Sequence, residues 1–197
     1  MKKNLLKLLT ASALVVTGLA ADGKYAGENG LYVGGTLGGG AGSLSYETDY
    51  GSYTYAEDGI STTDMKIYAG KRSLYIFMQM GTISTDTSAL SDMDYTAYGL
   101  GYLWRSPRFA MDLDAVTIMP QFDAEIAYDT TTLNSVDMSG FLVSADIGVA
   151  IATPSLPALE FTVDLGYDLH ALTDDSAYSG TWNFGALTFN VGAKYNF

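Results

Sequence analysis

Residues 159–170 have the sequence LEFTVDLGYDLH, in which every second side chain is apolar. Leucine, phenylalanine, valine and tyrosine occupy the odd positions, whereas acidic, small and polar residues occupy the even ones. Side chains of a β-strand point alternately to its two faces, so this stretch predicts a strand with one apolar and one polar face. It decides the fold class because the same alternation recurs along the chain, while helical periodicity is absent after the first twenty residues.

The sequence contains eight candidate strands, and seven of them follow this pattern. Besides 159–170, clear alternation occupies residues 141–151 and 187–197, and weaker alternation occupies residues 31–41, 65–70, 96–105 and 118–128. Residues 74–84 are apolar on both faces, so the sequence does not orient that strand. Residues 109–116 also alternate. They could form a ninth strand, a longer turn or an extension of the next strand. We interpret them as turn plus extension, because bacterial single-chain membrane barrels have an even number of strands.

The connections alternate between long and short. Residues 45–63, 85–93, 130–138 and 173–180 are long and polar, whereas the links near residues 71–73, 105–108 and 153–157 are short. An up-and-down barrel has long loops at one rim and short turns at the other. The sequence therefore predicts an all-β protein, a transmembrane up-and-down antiparallel β-barrel of eight strands.

The composition excludes several classes of function. The chain has 197 residues, no cysteine, 10 basic and 22 acidic residues, and a formal net charge of -12. Disulfide frameworks, thiolate metal sites and cysteine nucleophiles are excluded. Binding of nucleic acid is not expected, because phosphate contacts need clustered lysine and arginine. We also expect no metal site and no cofactor, since no calcium-loop spacing is present.

The first twenty residues predict a secretory signal peptide. Lys2 and Lys3 precede a mostly apolar run. The run ends with Gly18, Leu19 and Ala20, where a signal peptidase would cleave after Ala20. A membrane-spanning helix is the alternative, but the uninterrupted apolar part is shorter than the ~20 residues that a span requires. We expect a signal peptide over residues 1–20, a short periplasmic segment over residues 21–30 and the barrel over residues 31–197.

The alternation alone would also fit a soluble barrel with an apolar core. Two features favour a membrane barrel instead. The polar faces mix few charged side chains with glycine and alanine, which suits a narrow lumen better than a surface in water. The apolar faces are nearly free of charge and end in aromatic residues, as lipid-facing bands do. Nine charged side chains are thus predicted to point into the lumen: Lys66, Arg105, Asp123, Glu125, Asp146, Glu160, Asp164, Asp168 and Lys194.

These inward charges suggest two functions. The interior of an eight-stranded barrel is just wide enough for side chains to fill, and carboxylates there are costly unless paired or hydrated. We expect a plug of ion pairs and waters, in which Glu160 pairs with Lys194 and loses its partner when Lys194 is removed. The alternative is a small diffusion channel that prefers cations because acids outnumber bases.

The longest predicted loop contains Tyr50, Tyr53 and Tyr55 among glycine, serine and threonine. Recognition surfaces use this composition, because tyrosine offers a large contact area at low entropic cost. An extracellular ligand of the loops is therefore one hypothesis. The alternative is that these tyrosines extend a hairpin above the membrane and pack on one another.

Residues 189–197, with the sequence FNVGAKYNF, resemble the C-terminal signature of bacterial outer-membrane barrels. Apolar residues alternate, Tyr195 lies two places before the end, and Phe197 is terminal. Residues 31–197 resemble a small barrel of the OmpA/OmpX type, without a peptidoglycan-binding domain after it. The resemblance implies a cell outer-membrane location, contacts with outer-membrane lipids and lipopolysaccharide, and recognition of Tyr195 and Phe197 by the barrel assembly machinery. It also implies a role in envelope structure or surface interaction.

His170 is the single histidine and the one candidate for imidazole catalysis. Lipid A deacylases are similar small barrels and use a His-x-Ser pair late in the barrel, but Ala171 and Leu172 follow His170. Asp168 lies on the same face, where it would orient the imidazole, yet no nucleophile is evident. We predict a non-catalytic lumen histidine near the rim and no enzymatic activity, with a lipid A-modifying enzyme as the least favoured alternative.

Overall fold

The computed structural model describes residues 30–48, 51–86, 90–105, 109–133, 135–174 and 180–197, without the side chains of residues 48, 52–58 and 174. The predicted signal peptide, nearly all of the predicted periplasmic segment, and Tyr50 lie outside the described residues. In the part of the chain that is described, no helix has the length and hydropathy needed to cross a bilayer.

Within the described residues, nine strands form one antiparallel sheet. They are β1 (Leu31–Thr48), β2 (Gly51–Lys71), β3 (Leu74–Thr85), β4 (Met93–Arg105), β5 (Met111–Leu113), β6 (Val116–Leu133), β7 (Val136–Thr153), β8 (Leu156–Asp174) and β9 (Thr181–Asn196). β1 pairs with β9, and β4 pairs with β6, so the sheet closes into a barrel of eight long strands. The predicted all-β up-and-down antiparallel barrel is confirmed.

β5 is a three-residue strand that continues the line of β4. β4 ends where Arg105 pairs with Gln121 of β6, and β5 then pairs with residues 116–118 at the start of β6. The β5–β6 hairpin therefore lengthens one part of the barrel wall and adds no ninth strand to the circumference. The even strand count expected from the interpretation of residues 109–116 as turn plus extension therefore holds, but residues 111–113 form a short strand in line with β4 and are not an extension of β6.

The strands are tilted, as closure of a barrel requires. A row of directly paired residues leaves β6 at Gln121, passes once around the barrel through Asp164, Asn190 and Asp64, and returns to β6 at Thr131. The row is thus a spiral. Residues that are distant in sequence consequently lie at one level of the lumen.

The outer face of the barrel is apolar. Leu37, Leu100, Ile147 and Leu187 each expose between 61% and 66% of their surface. Aromatic side chains form two girdles: Tyr102, Trp104, Tyr195 and Phe197 near the rim that carries the β2–β3 and β7–β8 turns, and Tyr128, Phe141 and Tyr167 toward the opposite rim. We call these the turn rim and the loop rim. An apolar band between aromatic girdles has the properties of a lipid-facing surface.

The strands extend further toward the loop rim than the sequence predicts. Residues 45–63, predicted as a loop, belong largely to β1 and β2, where Tyr46 pairs with Tyr53. Serine, threonine and tyrosine fit a pleated strand, and the hairpin pairs backbone groups that a loop would leave to water. The backbone thus follows the alternative in which the tyrosines extend a hairpin, while the side chains of Tyr53 and Tyr55 lie outside the described part.

The structure also orients β3, which the sequence left undecided. Tyr75, Phe77 and Gln79 point into the lumen and are buried, whereas Leu74 and Ile76 point outward. Room for the Tyr75 ring exists because Gly101 faces it on β4, where a Cβ atom would collide with that ring. The inward side of β3 is therefore defined by packing against the neighbouring strand β4.

Candidate functional site in the lumen

Apolar side chains close the lumen near the loop rim. This loop-rim cluster consists of Leu44, Ile60, Ile83, Met93, Tyr95, Leu133, Met138, Leu172, Phe184 and Ala186, all buried. The sequence analysis predicted a polar lumen and missed the cluster. Several members lie on strand ends that were predicted as loops, so their inward direction was not recognised. These members could have been found by continuing the alternation of each strand into the neighbouring polar stretch.

The structure places all nine predicted charged side chains inside the barrel. Asp123 and Arg105 are partly buried, and the other seven are buried. Asp64, Asp129 and His170 share the same interior. The sequence analysis omitted Asp64 and Asp129, although each lies an even number of residues from a predicted lumen charge on the same strand.

Glu160 is the centre of a charged group near the turn rim. Its carboxylate accepts from Lys194 Nζ at 3.0 Å, from Asn196 Nδ2 at 2.9 Å and from the Arg105 guanidinium. The predicted pair between Glu160 and Lys194 therefore forms. The prediction that Lys194 is the sole partner is wrong, because the tilt of β4 brings Arg105 across the lumen to the same carboxylate. We call these four residues the Glu160 hub.

A second charged group lies further inside. Lys66 Nζ is 2.6 Å from Glu125 Oε1, and the Tyr75 hydroxyl is 2.5 Å from the same oxygen. Tyr75 also contacts Asp123, so its hydroxyl bridges two carboxylates. The Lys66 ammonium lies 5.8 Å from the centroid of the Phe77 ring. Lys66 thus neutralises one of two adjacent acids and is shielded on one side by an aromatic face.

Four further carboxylates, of Asp64, Asp146, Asp164 and Asp168, form no ion pair among the described residues. Asp164 accepts from Gln121 Nε2 at 2.6 Å, and Asp168 accepts from Ser144 Oγ at 2.6 Å. Asp146 accepts from Asn190 Nδ2 at 3.1 Å. The carboxylates of Asp146, Asp164 and Asp168 are thus held by neutral donors, and among the described residues Asp64 Oδ2 has no hydrogen-bond partner. The middle of the lumen therefore carries an excess of acidic groups.

A small cavity lies beside these acids. The volume in which the centre of a water molecule fits is about 20 Å³. The residues that line the cavity include Thr36, Lys66, Asp146, Thr162, Asp164 and Asn190. Among the described residues, the buried hydroxyl of Thr36 has no hydrogen-bond partner. A polar cavity of this size accommodates a water molecule that would satisfy such a group. Among the described residues, no group of three or more His, Asp or Glu side chains is arranged to hold a metal ion.

His170 lies on the lumen side near the loop rim, as the sequence analysis predicted, and its strand partner Phe184 belongs to the loop-rim cluster. It is 1% exposed, its Nδ1 is 2.6 Å from Asp129 Oδ2, and its ring packs between Tyr95 and Phe184. The expectation that Asp168 orients the imidazole is wrong. Strand tilt brings Asp129 of β6 across to His170, whereas Asp168 bonds with Ser144.

The remaining predicted residues lie away from the lumen centre. Tyr195 and Phe197 project outward at the turn rim, 48% and 64% exposed, and their rings meet edge to face at 5.1 Å. The Phe197 backbone N–H donates to the Leu31 carbonyl at 2.9 Å, which ties this segment to β1. Tyr50 and the side chains of Tyr53 and Tyr55 lie outside the described part of the chain.

No family model matches the sequence, and no curated protein matches it. Solved structures do resemble the fold. The outer membrane protein AlkL, solved by solid-state NMR in DMPC lipid bilayers, has a TM-score of 0.50 and 15% identity, covering 91% of this chain and 94% of that one. Neisserial surface protein A has a TM-score of 0.43 and 10% identity, covering 85% and 97%. Ail of Yersinia pestis has a TM-score of 0.30 and 16% identity, covering 86% and 99%. At these identities the likeness concerns the fold alone. The closed barrel and its likeness to AlkL show that this chain has the fold of the small eight-stranded outer-membrane β-barrels.

Proposed function

We propose that this protein is an integral outer-membrane barrel with a role in envelope structure or surface interaction, and that its own side chains close its lumen. Export would use the signal peptide predicted over residues 1–20. Lipids and lipopolysaccharide of the outer membrane would surround the apolar band. The barrel assembly machinery would recognise Tyr195 and Phe197, since both side chains are exposed on the outer face.

The loop-rim cluster is the observation that carries this proposal. Its members, including Tyr95, Leu172 and Phe184, are at most 5% exposed. An ion that crossed the cluster would lose its hydration shell without gaining polar contacts, as at the hydrophobic gates of channels. The Glu160 hub fills the lumen near the opposite rim. With both ends occupied, the surfaces left for interaction are the two rims and the outer band.

A non-enzymatic role is part of the proposal. His170 is held by Asp129 and covered by two aromatic rings, so a substrate from the membrane or from water would not reach its imidazole. A surface hairpin at the loop rim, rather than a lumen site, would contact any extracellular ligand. The extended β1–β2 hairpin, which contains Tyr53 and Tyr55, is the candidate for that contact.

A small cation-preferring channel is the second candidate. It is favoured by the central carboxylates of Asp64, Asp146, Asp164 and Asp168, which have neutral hydrogen-bond partners or an unbonded oxygen and would attract cations into a wet lumen. The channel requires an opening through the loop-rim cluster. The two candidates therefore differ in whether that cluster stays closed.

Conductance distinguishes these candidates. We expect the purified, refolded protein to give little or no steady current in a planar bilayer, because the loop-rim cluster excludes hydrated ions. Replacing Phe184 and Leu172 by alanine should produce a cation-selective current, since the acids below would then be wet. A stable cation-selective current from the unmodified protein would make the channel the primary function.

The proposed location also predicts the topology. The segments that the sequence analysis predicted as long connections lie at the loop rim, largely as strand extensions. This rim should face outward, and the turn rim should face the periplasm. Because the chain contains no cysteine, single cysteines report position cleanly. Asp137→Cys, at the exposed loop-rim end of β7, should react with a membrane-impermeant maleimide on intact cells. Ser155→Cys, in the β7–β8 turn, should react only after the outer membrane is opened. The reverse labelling pattern would invert the topology.

A further inference from the structure

The β5–β6 hairpin exposes large apolar side chains beyond the end of β4. Phe109, Met111 and Leu113 are 68%, 55% and 55% exposed. The hairpin lies at the turn rim, beyond the rung that joins Arg105 to Gln121. Neighbouring side chains of this size rarely remain in water without a partner.

One face of the hairpin carries Met111 and Leu113 together with apolar side chains of β6. Met111 pairs directly with Ile118, and Leu113 pairs with Val116, so the four side chains lie on the same side of the sheet. Asp112 points to the other side, where its carboxylate accepts from the Thr117 hydroxyl at 2.7 Å. The hairpin therefore has an apolar outer face and a polar inner face.

The apolar face of the hairpin is continuous with the lipid-facing band. Ile118 lies on the same face of β6 as the outward Phe122, and it pairs with Ile151 of β7. Trp104, a member of the turn-rim girdle, pairs with Phe122 on the side of the hairpin that faces the loop rim. Along the described outer face of β6, from Phe122 to Ile118, no polar side chain separates the band from the hairpin. This continuity distinguishes the surface from an isolated patch suited to a protein partner.

We propose that the apolar face of the β5–β6 hairpin is inserted in the phospholipid leaflet at the turn rim, where it anchors one side of the barrel. The proposal rests on the membrane location proposed above. The barrel then has a taller apolar wall at β4 to β7 than elsewhere. The bilayer accommodates such a mismatch by local thickening or by tilting of the barrel.

Cysteine labelling with a polarity-sensitive fluorophore tests this insertion on the full chain refolded in phosphatidylcholine vesicles. Leu113→Cys and Met111→Cys report the apolar face, and Asp112→Cys reports the opposite face of the same strand. Val163→Cys, on the lipid-facing side of β8, is the membrane control, and Asp137→Cys is the water control. Nitroxide-labelled phospholipids provide the quencher.

We expect lipid quenching at positions 111 and 113 to approach that of the Val163 label, with blue-shifted emission, and quenching at position 112 to be clearly weaker. If positions 111 and 113 behave like the Asp137 label while the Val163 label is quenched, the hairpin proposal is overturned and the membrane barrel stands. If the Val163 label is also not quenched, both proposals fail.

Discussion

Replacing Val163 by arginine is expected to lower the free energy of unfolding in a lipid bilayer by about 2–4 kcal/mol, the cost of a cation on the lipid face of a barrel near the bilayer midplane. Val163 lies near the middle of β8, points outward and is 37% exposed. Its paired neighbours on β7 and β9, Val149 and Val191, leave no polar group to receive the guanidinium. Unfolding in urea with lipid vesicles measures the change.

Val163→Met is the matched control, because it adds length at the same position without charge. It should cost well under half as much as the arginine. A lumen substitution is a poorer control: Thr162 is 4% exposed, and its hydroxyl lies close to where a Cβ on Gly192 would be, so arginine there would clash. Equal stability of the arginine and methionine variants would contradict a lipid-facing role for this surface.

Replacing Glu160 by glutamine is expected to destabilise the barrel by about 3–5 kcal/mol, the usual cost of removing one partner from a buried ion pair. Arg105 and Lys194 would both keep their charges inside the barrel without a counter-charge. Urea unfolding under the conditions used for Val163 provides the measurement.

Lys194→Met is the control for this second prediction. It should cost less than Glu160→Gln, because the carboxylate keeps Arg105 and Asn196 as donors. Adding Glu160→Gln to the Lys194→Met variant should lower stability further, since Arg105 would then lose its partner. Restoration of stability in the double variant would mean that Arg105 does not bind Glu160.

The two predictions differ in how much of their basis comes from sequence. The outward direction of Val163 follows from alternation within residues 159–170. Alternation is a local property of an extended chain, so the strand and its two faces are predictable without a structure. The same reasoning placed Lys66, Asp123 and Lys194 in the lumen.

Contacts across the lumen are not local. Arg105 meets Glu160, and His170 meets Asp129, because tilted strands turn each row of paired residues into a spiral. The sequence analysis therefore found one correct partner for Glu160, on the adjacent strand, and missed the one that lies across the barrel. It also chose Asp168 for His170 on the basis of shared strand and face.

The sequence by itself determined the fold class, most strand faces and the inward charges of this protein, through local alternation, the lengths of the connections and the composition of the two strand faces. It could not orient β3, where Tyr75 and Ile76 are both apolar, because the direction depends on space that Gly101 provides on another strand. The loop-rim cluster, the Glu160 hub and the apolar wall of the β5–β6 hairpin were likewise decided by tertiary structure. Each depends on register and tilt, which bring together residues that have no fixed spacing in the sequence.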